Sequence, residues 1–438
     1  MSERKVVTRM APSPTGKFHV GSVRTALFNY LFARQNGGKF ILRIEDTDKE
    51  RSKKEYEADI IEAFDWLGFE YDEFYRQSER TEIYKEQIQK LIDQGYAYIS
   101  KEEVKEEGQR NSVIRFKNPN KLVKFSDVVL GDIEVDTTDL GDFVIAKDLE
   151  NPLYHLTVVV DDGLMDITHV IRGQDHIANT PRQILILEAL GFQRPIYAHI
   201  PLILAPDKTK LSKRHGALAT LEYRDLGYFK EAIINFMALI GWNPGDDREF
   251  FTKEELITEF KLEKVQKGGG VFNIEKLDWF NKHYLNKQPK EKLLSAIKQY
   301  VKFEDESVLE RALPTLIERI NKYNDLQNEN LSFYSHVPEY GADDLVWRDS
   351  DKFQTKEFLS QIIKILETAD FSSNESIKKS LWSFAEEKGR GNVLWPTRYA
   401  LSGLPKSPDP FTLAYILGKA ETIERLNKAY KKIESITF

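Results

Sequence analysis

The chain has 438 residues, 41% of them hydrophobic and 30% charged, with a formal net charge of −7. That length calls for more than one core, and the acidic balance argues against indiscriminate binding to nucleic acid. The absence of cysteine excludes disulfides, thiolate catalysis and cysteine-ligated zinc. No apolar run is long enough to span a bilayer, and Met1–Arg9 lacks a signal peptide's apolar segment, so a cytoplasmic enzyme with no membrane partner is expected.

In chain order, Lys5–Ala11 reads as a strand, and Pro12-Ser13-Pro14-Thr15-Gly16 as a turn with two fixed φ angles. Helical apolar spacing follows through Val23, Leu27, Tyr30 and Leu31 to Gly37-Gly38, and Lys39–Ile44 is the next strand. This β-turn-α-β unit opens a nucleotide-binding sheet. Ser52 with Glu55 reads as a capping box for a helix that Gly68 stops. Another helix runs from about Glu79 to Gln94. From Tyr96 to Asp148 short strand-like runs, among them Val113–Phe116, Val128–Val135 and Asp142–Lys147, form a small β-rich insertion.

After Pro152 the sheet pattern returns, with strands expected at Tyr154–Val160, Ile167–Ile171 and Ala198–Ala205. Thr180-Pro181 opens a helix that Gly191 follows. From Tyr228 onward the pattern is helical, with a second capping box at Thr252/Glu255 and a flexible break at Gly268-Gly269-Gly270. Ser376–Phe438 carries 11 Lys/Arg against 6 Asp/Glu, which fits partial contact with a polyanion or a chance excess.

Two strings carry the chemistry. His19-Val20-Gly21-Ser22 sits where a helix would begin, and a helix N-terminus offers free N–H groups to phosphate. Gly21 would let a phosphate approach, and His19 could donate to a developing oxyanion; taken alone, four residues fit a helix entry equally well. Lys210-Leu211-Ser212-Lys213-Arg214 is a basic loop that follows a buried strand at the carboxyl end of an open sheet, where ligands bind. A lysine there could neutralise a pentavalent phosphate, although most charge runs are merely solvated.

Arg9, Tyr154 and Arg172 lie on or beside expected strands. They would make a carboxylate receptor, or the arginines would pair with Asp161, Asp162 or Asp175. In Arg43-Ile44-Glu45-Asp46-Thr47-Asp48, Glu45 could bind an amino group and the acidic cluster could coordinate a metal, while salt bridges and turn capping fit Asp46 and Asp48 better. His155, His169, His176 and His199 show no ligand spacing, and no metal site is expected. Near the end, Trp382, Trp395, Tyr399, Phe411 and Tyr415 interleave with Lys378, Lys379, Arg390, Arg398 and Lys406; they stack on unpaired bases or belong to a helical core.

Together these strings resemble the class I aminoacyl-tRNA synthetases, and within them the bacterial-type glutamyl family. Arg9–Gly16, His19–Ser22, Arg24–Arg34, Arg43–Asp48, Val159–Asp162, His169–Gly173, Thr180–Gln183 and Lys210–Arg214 carry the likeness over nearly the whole chain. The resemblance implies that ATP, taken with Mg2+, and L-glutamate form an adenylate whose acyl group passes to tRNA(Glu). His19, Gly21, Ser22, Lys210 and Lys213 would serve the phosphates, Lys213 above all in the transition state. Asp175 and His176 would border the adenosine. Arg9, Tyr154 and Arg172 would bind the glutamate side chain, and Ser13 and Glu45 its α-carboxylate and α-amino ends. Trp395, Arg398 and Arg390 would touch tRNA.

The implied fold is an α/β Rossmann-like catalytic domain (1–95 and 151–226) with an acceptor-binding insertion (96–150). A helical stem-contact domain (227–310) and a helical anticodon-binding domain (311–438) would follow. The insertion is short between Tyr98 and Ser112, and no protein-bound zinc is expected there. A monomer is expected. The alternatives are a form that also charges tRNA(Gln), or a non-catalytic tRNA-binding relative.

Overall fold

The computed structural model describes residues 4–102, 111–336, 339–348 and 350–435, the side chain of Lys213 excepted. The chain divides into two compact units, Met1–Asn281 and Lys282–Phe438.

The first unit opens as its sequence expects. Strand β1 (Val7–Met10), helix α1 (Val20–Gln35) and strand β2 (Lys39–Ile44) form a parallel βαβ crossover. Helix α2 (Lys54–Leu67) leads to strand β3 (Glu73–Arg76), parallel to β2. Its N-cap is Lys53, not Ser52, and no side chain caps it; the Ser52 amide is already bonded to Asp48 O, which starts the helix one residue late. Gly68 ends α2 with φ +69°, a conformation that costs only glycine nothing. Helix α3 (Thr81–Asp93) completes the first half.

The insertion yields strands β4 (Ala97–Lys101), β5 (Ser112–Phe116), β6 (Leu122–Asp127), β7 (Gly131–Asp136) and β8 (Phe143–Ala146). Strands β4, β5 and β8 make an antiparallel sheet of their own. The β6–β7 hairpin instead joins the sheet that continues after the insertion.

Tyr154–Val160 is not a strand. It belongs to helix α4 (Tyr154–Leu164). Its β-branched run (Val158, Val159, Val160) reads as strand by propensity, but residues 156–162 are buried on all sides, and burial overrides a weak preference. A crossover is also required there, because strand β9 (His169–Gly173) runs parallel to its neighbour. Helix α5 (Thr180–Leu190) has Pro181 in its first turn and Gly191 as its left-handed cap. The single strand expected at Ala198–Ala205 is two, β10 (Ile196–Ile200) and β11 (Ile203–Leu204), broken at Pro201, which has no N–H for a ladder.

Of the sheets, one has the order β1-β2-β3 and a second β7-β6-β10-β9. They meet edge to edge. Thr168 N donates to Val7 O at 3.0 Å, and Val7 N donates to Thr168 Oγ1 at 2.8 Å. The strand sequence is therefore β3-β2-β1-β9-β10-β6-β7, a doubly wound arrangement whose direction of winding reverses between β1 and β9. Ligands bind outside the carboxyl ends of strands at such a point.

Helices α6 (Thr220–Asp225), α7 (Lys230–Leu239) and α8 (Lys253–Glu259) follow. Thr252 caps α8 as expected: Glu255 N donates to its Oγ1 at 3.1 Å, and its own N donates to Glu255 Oε2 at 2.7 Å. Thr252→Ala should cost about 1 kcal/mol. An unchanged urea midpoint would show that packing alone holds α8. The three glycines after Lys267 are not a flexible break. Gly270 and Val271 form strand β12, parallel to β11, and a Cβ on Gly269 would sit 2.7 Å from Leu204 Cγ. Helix α9 (Ile274–Asn286) ends this stretch.

The second unit is helical among its described residues: α10 (Lys290–Tyr300), α11 (Glu306–Arg319), α12 (Lys352–Thr368), α13 (Asn374–Lys388), α14 (Arg390–Ser402), α15 (Pro410–Leu417) and α16 (Lys419–Glu434). Arg425, fully buried on α16, donates to the carbonyls of Phe333 and Leu401 at 2.6 Å each.

Candidate active site

The turn after β1 delivers His19 as the N-cap of α1. Ser22 N donates to His19 Nδ1 at 3.3 Å, and a Cβ on Gly21 would press on the His19 ring at 3.1 Å. The positive end of α1 therefore lies at His19, whose ring rests over the first turn. Ser13 is exposed in the preceding turn.

The basic loop lies beside it. Its root is pinned by Leu211 N donating to Ile203 O at 3.0 Å, and Lys210 Nζ reaches Asp175 Oδ2 at 3.1 Å, just past the end of β9. The chain leaving the loop docks on the segment that enters α1. Thr220 N and Oγ1 donate to Phe18 O at 2.8 and 2.7 Å, His19 bridges Ala219, and Lys17 pairs with Glu222 at 3.0 Å. Two strings far apart in sequence are therefore brought side by side. Lys213 begins a short 3-10 turn on this loop, and its side chain lies outside the described residues.

The residues expected to form a carboxylate receptor sit at the switch point. Arg9 on β1 is buried and meets Asp162 in a fork, Nε to Oδ1 at 3.1 Å and Nη2 to Oδ2 at 3.2 Å. Pairing with Asp162 was one of the two readings of this arginine. Arg172 on β9 is buried without a carboxylate. Its Nε donates to His199 Nε2 at 3.2 Å and its Nη2 to Thr180 Oγ1 at 2.7 Å. Burial lowers the Arg172 pKa; Tyr154 opposes this, and the nearby charge of Arg9 adds to it. Neither Nη1 bonds to a described residue, so two cationic donors remain for a ligand.

Tyr154 opens α4 with its hydroxyl 3.1 Å from His176 Nδ1. Burial raises its pKa, and Glu45 adds to the rise. Burial also takes His176 down to about 4, with Arg172 acting in the same direction, so the ring is neutral near pH 7. Glu45 is buried at the end of β2, paired with Arg43 Nη2 at 3.0 Å, and burial raises its pKa against that partner. Asp46 accepts from Ser78, and Asp48 pairs with Arg51, as the capping reading had it.

Behind these residues lies a layer that the sequence does not announce. Arg43, 0% exposed, joins Glu45 to Asp162 Oδ1 at 2.8 Å. Burial pushes the Asp162 carboxyl up, but Arg9 and Arg43 outweigh it and hold it below the usual range. Asp161, next along α4, accepts from Gln77, Arg80 and Tyr84 at 2.9, 2.8 and 2.8 Å. His199 and Asp127 stand behind Arg172, with Nδ1 to Oδ2 at 2.6 Å. These partners lie far apart in sequence, and only acidic pairs beside apolar runs hinted at them.

Among the described residues no group of three His, Cys, Asp or Glu side chains could hold a metal ion, and no helix is long and apolar enough to cross a membrane. In the second unit Trp395 packs on Trp347 at 5.1 Å and under Arg398 at 4.9 Å, while Arg390 lies over Trp382 at 4.7 Å.

A doubly wound sheet whose switch point carries a helix start, a basic loop and two buried guanidinium groups matches what the family comparisons find. The model for the catalytic domain of class I tRNA synthetases (E and Q) matches residues 5–111 and 99–279, and that for an anticodon binding domain matches residues 292–430. The class is thus that of the class I tRNA synthetases. Glutamate–tRNA ligases of Natranaerobius thermophilus and Aquifex aeolicus are 38% and 40% identical to it, each over 98% of this chain and 99% of their own length. A crystal structure of a glutamate tRNA ligase from Elizabethkingia meningosepticum, in complex with its amino acid, is similar with a TM-score of 0.88 at 34% identity, over 98% of this chain and 100% of that one. The chain belongs to the glutamate–tRNA ligase family.

Proposed function

We propose that the protein joins L-glutamate to the 3′ end of tRNA(Glu) through a glutamyl-adenylate. A glutamate α-carboxylate oxygen bonds to the α-phosphorus of ATP, the bond from that phosphorus to the bridging oxygen breaks, and pyrophosphate leaves. The 2′-hydroxyl of the terminal adenosine then takes the acyl group and AMP departs. His19, Gly21 and Ser22 at the start of α1, with Lys210 and Lys213 from the loop, hold the phosphates; Lys213 takes up charge as pyrophosphate forms. Asp175 and His176 border the adenosine. Arg9, Tyr154 and Arg172 bind the side-chain carboxylate, Ser13 the α-carboxylate and Glu45 the amino group. Mg2+ enters with ATP as part of the substrate, and a chain without cysteine calls for no bound zinc in its insertion.

What supports this reading most is the pair of buried arginines at the switch point, each with an unspent Nη1. Glutamine would offer them a neutral amide, poorly matched to two cations. On the same reading the chain has four parts: catalytic (1–95 and 151–226), acceptor-binding (96–150), stem-contact (227–310) and anticodon-binding (311–438). Trp395, Arg398 and Arg390 of the last part meet unpaired bases. The enzyme works as a cytoplasmic monomer.

The test is ATP–pyrophosphate exchange dependent on glutamate, with and without tRNA, followed by charging of purified tRNA(Glu) and tRNA(Gln). Exchange that needs glutamate supports a ligase. Tight tRNA binding without exchange or charging overturns it in favour of a binding protein. Charging of tRNA(Gln) would extend the acceptor range.

A further inference from the structure

An arginine that sorts a carboxylate from an amide must hold its plane. A guanidinium free to swing would donate to a glutamine carbonyl nearly as well as to a carboxylate oxygen. Arg172 is gripped by two neutral acceptors, His199 Nε2 at 3.2 Å and Thr180 Oγ1 at 2.7 Å. His199 lies opposite Arg172 in the β9–β10 register and is fully buried. Because arginine only donates, Nε2 must accept, and the single imidazole proton sits on Nδ1. Asp127 fixes that tautomer from the far side, with Oδ2 2.6 Å from Nδ1. The same carboxylate is anchored by the backbone N–H groups of Val129, Leu130 and His199 at 3.0, 2.9 and 3.0 Å. Phe125 and Tyr197 flank the ring, with centroids at 6.4 and 6.2 Å. The site retains a buried acid–imidazole pair, which costs desolvation and is explained by what it does to Arg172.

We infer that His199, held in one tautomer by Asp127 and assisted by Thr180, is a positioning residue for Arg172 and thereby sets the preference for glutamate over glutamine. This rests on the glutamate site proposed above.

Two substitutions divide the imidazole's functions. His199→Asn keeps a donor toward Asp127 and removes the acceptor for Arg172. His199→Gln restores an acceptor near the Nε2 position and gives up Asp127. Exchange is measured with full-length protein and tRNA present, varying glutamate, glutamine and ATP in turn, alongside the melting temperature. His199→Asn should raise the KM for glutamate roughly tenfold and narrow the glutamate-to-glutamine ratio about as much, with the KM for ATP within about twofold of the parent. His199→Gln should fall between that variant and the parent. If His199→Asn does not fold, Thr180→Val serves, since it removes the other acceptor and should shift the same constant in the same direction. An unchanged KM for glutamate in either variant, or KM values for glutamate and ATP rising together, overturns the inference. A parent enzyme that failed to exchange with glutamate at all would bring down the glutamate site, and the inference with it.

Discussion

Arg172→Leu should lower kcat/KM for glutamate about a thousandfold in the exchange reaction and leave the KM for ATP within a few-fold. Truncating one side of a buried, charge-assisted pair costs about 2–5 kcal/mol, and each 1.4 kcal/mol is a factor of ten. The protein should stay folded. Arg172 faces His199 and Thr180, both neutral, so its removal strands no buried anion. In the proposed site Arg9 would still meet one carboxylate oxygen, so residual activity above zero is expected. Initial rates across a glutamate titration, read beside an unchanged circular dichroism spectrum, check the claim. A loss below tenfold would take Arg172 out of the glutamate site.

Asp162→Asn should fail in a different way, through the fold. Asp162 is buried and receives a fork from Arg9 and a further hydrogen bond from Arg43. Without its charge, Arg43 has Glu45 as its nearest counter-ion, and Arg9 loses its ion pair. Breaking a buried pair by removing one partner costs about 3–5 kcal/mol, a large share of the stability of any domain. A marked fall in the urea midpoint is expected, with glutamate activation lost because Arg9 is no longer held. The sign of the pH dependence follows from Asp162's depressed pKa. Its contribution is complete above the unfolded value near pH 4 and disappears as the pH falls through the folded value. The gap between parent and variant should therefore close in acid. A variant as stable as the parent at pH 7 would mean that water reaches the pair.

Much of this was legible in the sequence because the signals are local. Pro12 and Pro14 mark a turn, Gly68 and Gly191 mark helix ends, and Thr252 with Glu255 makes a cap; each acts within a few residues of itself. The helix start at His19 and the basic loop at Lys210 were legible for the same reason. What escaped was non-local. Val158–Val160 looks like strand until burial on every side is known. Reading it as strand would send Asp161 and Asp162 to opposite faces, whereas the helix turns them toward neighbouring partners, Tyr84 with Arg80 for one and Arg9 with Arg43 for the other. Gly269 and Gly270 look loose in a sequence, and only the strand packed against them shows why side chains are excluded. His199 offered no spacing to read, since its partners come from three separate segments.

Strand β6 reaches His199 from within the insertion, pairing with β10 and ending on Asp127. The insertion is therefore not cargo that can be unplugged from the enzyme. A chimera that exchanged residues 96–150 for the counterpart of another synthetase would also exchange the carboxylate that bonds His199 beside Arg172. Grafts of this segment should disturb amino-acid choice unless the donor brings its own acid to that spot, and changes on the two sides of this seam would have to be inherited together.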